Sequence, residues 1–121
     1  MSRPSNVLVI LSDEHTRRVF GSYGNPIVKT PHLDALAQRG ARFASAYCQT
    51  PICVPSRGSL ATGRWPHTID SWDNATPYVG SEAPSWGHRL TAQGHSVTTV
   101  GKLHYRRAAD PSGFPLSLIH I

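Results

Sequence analysis

The sequence predicts an α/β fold, a mostly parallel sheet covered by helices. Three observations carry that reading. Val7-Leu8-Val9-Ile10-Leu11 is an unbroken apolar run ending in Ser12 and Asp13, the pattern of a strand buried on both faces. Stretches with helical spacing and recognisable end signals alternate with such runs. Their order, β-α-β-α-α-β, contains no internal repeat or low-complexity segment and fits strands joined by helical crossovers.

The first strand is expected over residues 6–13. Ligands in open α/β sheets gather at the carboxyl ends of strands, which puts Asp13 and Glu14 where chemistry is expected. Residues 21–29, punctuated by Gly, Asn and Pro, predict a loop. Thr30 then reads as an N-cap and Pro31 as the first helical residue. Leu33, Leu36 and Ala37 supply a buried stripe, and Gly40 a C-cap. Residues 41–47 alternate and predict a second strand with Phe43 inward. After a Pro-broken loop over 49–54, a second helix starts at Pro55-Ser56-Arg57, buries Leu60 and Ala61, and ends at Gly63. Residues 66–84 are rich in Trp, Pro, Asp and Asn and predict an irregular loop. Ser85 caps a third helix over 86–93 that ends at Gly94. Residues 96–100 predict a third strand, followed by Gly101-Lys102-Leu103-His104.

The chain has 121 residues, enough for one small domain. Hydrophobic content of 39%, with ten Gly and ten Pro, points to a folded piece with many loops. Net charge is +5 with His neutral, which fits a mildly basic surface or attraction of an anionic substrate. The basic residues are scattered and no aromatic-interleaved basic stripe occurs, which argues against nucleic acid as a partner. The run at 7–11 is too short for a signal segment or a membrane span. The expected compartment is therefore the cytoplasm, with no membrane partner. A disulfide between Cys48 and Cys53 is not expected there.

Residues 110–121 stand apart from the portion expected over 1–109. Pro111, Gly113 and Pro115 break them, and 116–121 is an apolar end without a polar stop. A domain seldom finishes on exposed Leu and Ile, so a truncated chain is expected. Residues 116–121 also resemble translated read-through from a fragmentary gene, and no function is assigned to them.

Three polar clusters fall at predicted strand ends or a helix start: Asp13-Glu14, residues 53–57, and residues 102–104. Cys53 precedes a helix whose first N–H groups are unpaired, and Arg57 follows one turn on; both favour negative charge there. On residue type alone, a buried cysteine that merely packs competes with a nucleophile or anion site. Lys102 and His104, two apart in a strand-like stretch, face one side and can meet one anion. The competing reading is a solvated Lys and a satisfied His. Asn74 follows Trp72-Asp73 in a Pro-rich loop and is either a turn residue or a substrate contact. His32 and His88 are expected on exposed helix faces.

Cys53-Val54-Pro55-Ser56-Arg57-Gly58-Ser59-Leu60-Ala61-Thr62-Gly63 resembles the C-x-P-S-R-x-x-x-x-T-G signature of type I sulfatases. Gly101-Lys102-Leu103-His104 resembles their G-K-x-H element, and Asp13 matches their first metal ligand. Together with Lys29-Thr30-Pro31-His32-Leu33-Asp34 and Pro51-Ile52-Cys53, the pattern is most similar to the choline-sulfatase and phosphonate-hydrolase branch, commonly cytoplasmic. The similarity runs from about Asn6 to about Tyr105.

The resemblance implies the alkaline-phosphatase fold, a sheet between helix layers, of which this chain is an N-terminal part. It implies that a formylglycine-generating enzyme oxidises Cys53 to Cα-formylglycine, whose hydrate attacks sulfur and then collapses to release sulfate. A divalent cation makes such a diol more acidic; calcium is the first choice, with magnesium or manganese as alternatives. The implied ligands are Asp13, Glu14 and the modified Cys53. Glu14 departs from the family's usual Asp or Gln but keeps a hard oxygen donor; it turns either to the metal or to His15 and solvent. Arg57 is expected to hold the diol, Lys102 to bind sulfate and the nucleophile, His104 to contact the diol or sulfate oxygens, and Asn74 to bind substrate. The expected activity is hydrolysis of a small sulfate ester. A phosphonate monoester hydrolase or phosphodiesterase is the alternative, and an inactive fragment is the non-enzymatic one. Oligomeric state is not legible.

Overall fold

The computed structural model describes residues 6–107 and 109–115. The chain divides into two compact units, Met1–Ala46 and Tyr47–Ile121. Helices are α1 (Pro31–Arg39), α2 (Cys53–Thr62) and α3 (Trp86–Ala92), with short 3-10 turns at Arg17–Val19, Gly21–Tyr23 and Pro66–Ile69. None is long and apolar enough to cross a membrane.

In the first unit, Pro31 opens α1, as the sequence predicts, but the Thr30 hydroxyl does not cap it. It accepts from the Gly21 amide at 2.9 Å and donates to Asp34 Oδ1 at 2.9 Å. Asp34 also accepts from the Ser22 amide at 2.7 Å. The start of α1 is thereby fastened to the Gly21–Tyr23 turn. A β-carbon on Gly21 would lie 2.5 Å from Asp34 Oδ2, so a larger residue there would push this carboxylate aside. Gly40 ends α1 in extended backbone, not in the left-handed form expected of a glycine cap.

The predicted strands are not seen: no described residue belongs to a strand. The run at 7–11 is extended but solvent-facing, with Val7, Leu8 and Ile10 more than four-fifths exposed. A strand exists only through hydrogen bonds to a neighbour, and the described residues supply none to this run. The same lack leaves Leu33 and Leu36 of α1 exposed instead of buried. Residues 41–47 also form no strand, and Phe43 points outward at 72% exposure. Side chains occupy their carbonyls instead: the Tyr23 hydroxyl donates to Phe43 O at 2.7 Å and Arg17 donates to Ala44 O. Arg42 donates to Ser22 O and lies 5.1 Å from the Tyr23 ring centre.

The second unit has a core of Val54, Ala61, Ile69, Tyr78, Ala83 and Phe114. The Tyr78 hydroxyl, wholly buried, donates to Ala83 O at 2.6 Å, which satisfies the polar end of an apolar ring. Tyr105 meets Tyr78 edge-on at 5.6 Å and stacks on Phe114 at 6.0 Å; Trp86 meets Phe114 edge-on at 4.6 Å. Phe114 belongs to the stretch that sequence sets apart as a tail, yet residues 109–115 lie directly on the α3 region. Ser85 Oγ donates to Ser112 O at 2.7 Å, and a β-carbon on Gly87 would come within 2.1 Å of Gly113 O. Residues 116–121 lie outside the described residues.

α2 ends as the sequence predicts: Gly63 is left-handed and its amide bonds Ser59 O at 2.8 Å. Leu60, expected inside, is half exposed, while Ala61 is buried. α3 carries a reciprocal capping box in which Ser85 Oγ accepts from the His88 amide and His88 Nδ1 accepts from the Ser85 amide. His88 is thus a half-buried cap partner and not a residue of an exposed face; His32 is exposed, as expected. Residues 96–100 make a single bridge position, at Thr99, in place of the third strand. The Thr99 hydroxyl donates to Pro115 O at 2.8 Å.

Candidate active site

Cys53 is the first residue of α2, two positions earlier than the sequence predicts. Proline is favoured at the first helical position, which draws the expected start to Pro55. Pro55 instead occupies the third, where a missing N–H also forfeits no helical bond. The Ser56 amide makes the first helical bond, to Ile52 O at 3.0 Å. Ile52 holds the N-cap position and has no side-chain acceptor. The Val54 amide is taken instead by Asn74 Oδ1 at 3.1 Å. Cys53 is half-buried, and Cys48 and Cys53 are both free thiols.

Arg57 lies one turn along α2 and is only 8% exposed. A buried guanidinium must spend its donors on acceptors, and Arg57 Nη1 donates to the Lys102 carbonyl. The helix bearing Cys53 is thereby tied to residues 101–105. That segment is not a strand: Gly101 and His104 have φ of 95° and 59°. Left-handed backbone at a histidine is uncommon and needs surrounding structure to hold it. Leu103 and Tyr105 supply that hold by packing on the core. Lys102 and His104, between and beside them, are exposed. Burial pushes the Tyr105 phenol well above its ordinary value; Tyr78 adds to this, and the Arg57 charge opposes it. Burial likewise raises Tyr78.

Asp13 and Glu14 lie in the first unit, in an exposed turn where Glu14 has φ of 54°. His15 pairs with Ser12 Oγ at 3.3 Å and packs its ring on Phe20 at 4.4 Å. Two adjacent carboxylates are hard oxygen donors that suit calcium or magnesium. Among the described residues, however, no three His, Cys, Asp or Glu side chains converge on one metal-sized position. The donor chemistry fits a divalent cation; the described donors supply part of a shell. A cleft of about 580 Å³ in the same unit is lined by residues including Ser22, Lys29, Thr30, Asp34 and Arg42, none of which is an expected site residue.

In the second unit Asn74 is bonded to the start of α2, where Cys53 lies, and Arg57 ties α2 to the Lys102 carbonyl, with His104 in the same tethered segment. Sequence reading misses two features of it: the reach of Asn74 to the helix and the support of Tyr105 by Tyr78 and Phe114. An Asp73-x-x-Thr76 turn pattern signals a built loop at 73–76, but not what the loop holds.

A helix-borne cysteine, its buried arginine and a Lys-x-His segment thus lie on one small core. The chain belongs to the sulfatase family, whose sequence model matches residues 5–114. It is 39% identical over 107 residues to an ulvan-active sulfatase of Formosa agariphila, covering 86% of this chain and 21% of that protein. It is 34% identical over 109 residues to a choline-sulfatase of Rhizobium meliloti, covering 90% and 21%. To a steryl-sulfatase of Mus musculus it is 42% identical over 128 aligned positions, covering 94% and 20%. The chain thus spans about a fifth of the length of these relatives. Membership implies the family's alkaline-phosphatase-like α/β fold, whose sheet is not seen among the described residues.

Proposed function

We propose that this chain supplies the nucleophile-bearing part of a sulfuric ester hydrolase, acting within a protein of its relatives' length. The observation that carries the reading is Cys53 at the start of α2 within the C-x-P-S-R frame, with Arg57 tied to the Lys102 segment. The relatives named as sulfatases support the reaction class. In this account Cys53 is converted to Cα-formylglycine, and the aldehyde hydrate supplies an oxygen nucleophile with a second hydroxyl for sulfate release. Asp13 and Glu14 would be this chain's ligands to a divalent cation, calcium first, whose charge would make a hydrate hydroxyl more acidic.

The remaining steps belong to the protein's own groups. The open helix terminus and the Arg57 guanidinium favour negative charge at position 53. Lys102 binds the sulfuryl oxygens as a point charge. His104 hydrogen-bonds the same anion or the hydrate. Asn74, whose side-chain oxygen accepts from the Val54 amide, holds the start of α2. Leu103 and Tyr105, packed on the core, hold the backbone that carries Lys102 and His104, which lowers the entropy cost of ordering that segment.

The test is a comparison of initial rates on an aryl sulfate and an aryl phosphonate ester. It uses the full-length protein expressed with a formylglycine-generating enzyme. Preference for the sulfate is expected. A strong preference for the phosphonate would replace the sulfatase reading with the phosphonate hydrolase one, and no turnover of either would favour an inactive chain.

A further inference from the structure

We propose that Asn74 is a positioning residue for the nucleophile helix, and that residues 71–76 are a bracket built to hold it there. This deepens, and rests on, the reading of Cys53 as the nucleophile position. The accounting of first-turn donors leads to it. Ile52 offers no capping side chain, Pro55 has no N–H, and Ser56 bonds back to Ile52 O. The Val54 amide is left, and Asn74 Oδ1 accepts from it across 20 residues of sequence. Among the described residues this leaves the Cys53 amide as the first-turn donor open to a ligand.

An asparagine in a turn usually bonds its own backbone. Here its neighbours carry out that local task. Thr76 Oγ1 accepts from the amides of Trp72 and Asp73 at 2.7 and 3.0 Å, and Asp73 Oδ1 accepts from the Ala75 amide at 2.8 Å. The wholly buried Ser71 donates its hydroxyl to Thr76 O at 2.8 Å. The loop is therefore closed without the Asn74 side chain, which is spent on α2. The bracket also passes beside α2 at Gly58, where a β-carbon would lie 3.8 Å from Ser71 Oγ. Val54 and Gly58, four apart, share one face of the helix. The Asn74 bond on that face holds the end of α2, and so the place of residue 53.

The carbamoyl oxygen is the group that acts, so an aspartate should replace it and an alanine should not. In the full-length protein, amide hydrogen exchange at Val54 is read by mass spectrometry with fragmentation. Asn74→Ala is expected to speed it about fivefold, the factor for a lost N-cap. Asn74→Asp is expected to retain protection, because a carboxylate accepts the same bond and suits the positive helix end. Turnover should follow: kcat about fivefold lower in Asn74→Ala with KM little changed, and largely recovered in Asn74→Asp. Val54 exchange unaffected by Asn74→Ala overturns the proposal. So does an Asn74→Asp variant with lower kcat and higher KM than the alanine, which marks a donor to the substrate anion instead. Exchange is read without activity. A protein that hydrolyses no sulfate ester but shows the Val54 effect therefore sinks the sulfatase reading and leaves the cap standing.

Discussion

Replacing Gly87 by alanine separates local from tertiary reasoning by sign. Gly87 lies inside α3, where alanine favours the helix by about 1 kcal/mol over glycine. Local propensity therefore predicts a more stable protein. The packing predicts the reverse. A β-carbon at Gly87 would sit 2.1 Å from Gly113 O, 2.8 Å from Gly113 C and 2.9 Å from Phe114 Cε1. Two of those atoms are backbone, so residues 109–115 must move off α3. That movement breaks the 2.7 Å bond from Ser85 to Ser112 O, worth about 1 kcal/mol net. It also loosens Phe114, whose full truncation would cost about 3–5 kcal/mol. Losing half of that packing, less the propensity gain, leaves a net loss of about 2 kcal/mol. The assay is urea unfolding followed by tryptophan fluorescence, since Trp86 is in the contact. A midpoint equal to or above the parent's would refute the placement of 109–115 on α3.

Two further outcomes follow from groups inside the second unit. Ser59 Oγ is buried with no hydrogen-bond partner among the described residues, so Ser59→Ala should leave stability unchanged or raise it by about 1 kcal/mol; a fall of that size in the urea midpoint would show that the hydroxyl has a partner. Burial raises the Tyr105 phenol above its ordinary value, so folded and unfolded chains are both neutral there below about pH 10. Above that pH the unfolded phenol ionises while the folded one does not, and stability is lost as pH rises. Tyr105→Phe should make the alkaline limb of thermal midpoint against pH shallower, and an unchanged limb contradicts the buried placement of that ring.

What was legible in the sequence follows the range of the interaction concerned. The glycine that ends α2 and the Ser85 cap of α3 are local devices, each closed within a few residues, and both stand where the pattern put them. The strands were not legible in this sense, although their pattern was present. Val7 to Leu11 have strand composition, but a ladder needs partners that the described residues do not provide. The start of α2 was misplaced because Pro55 suits the third helical position as well as the first. The Asn74 contact was invisible for a different reason: nothing in Trp72-Asp73-Asn74 says that a helix amide 20 residues earlier lacks a cap. Phe114 was hidden by its neighbours, since the Pro and Gly around it set the stretch apart as a tail while the ring completes an aromatic cluster.

The central claim is that position 53 acts as an aldehyde hydrate and not as a thiol. It is tested most directly by the mass of the peptide bearing residue 53, taken from full-length protein made alongside an active formylglycine-generating enzyme. The account predicts a loss of about 18 Da from the thiol form, restored on hydration, as expected for oxidation of cysteine to the aldehyde. An unmodified thiol under those conditions would contradict it.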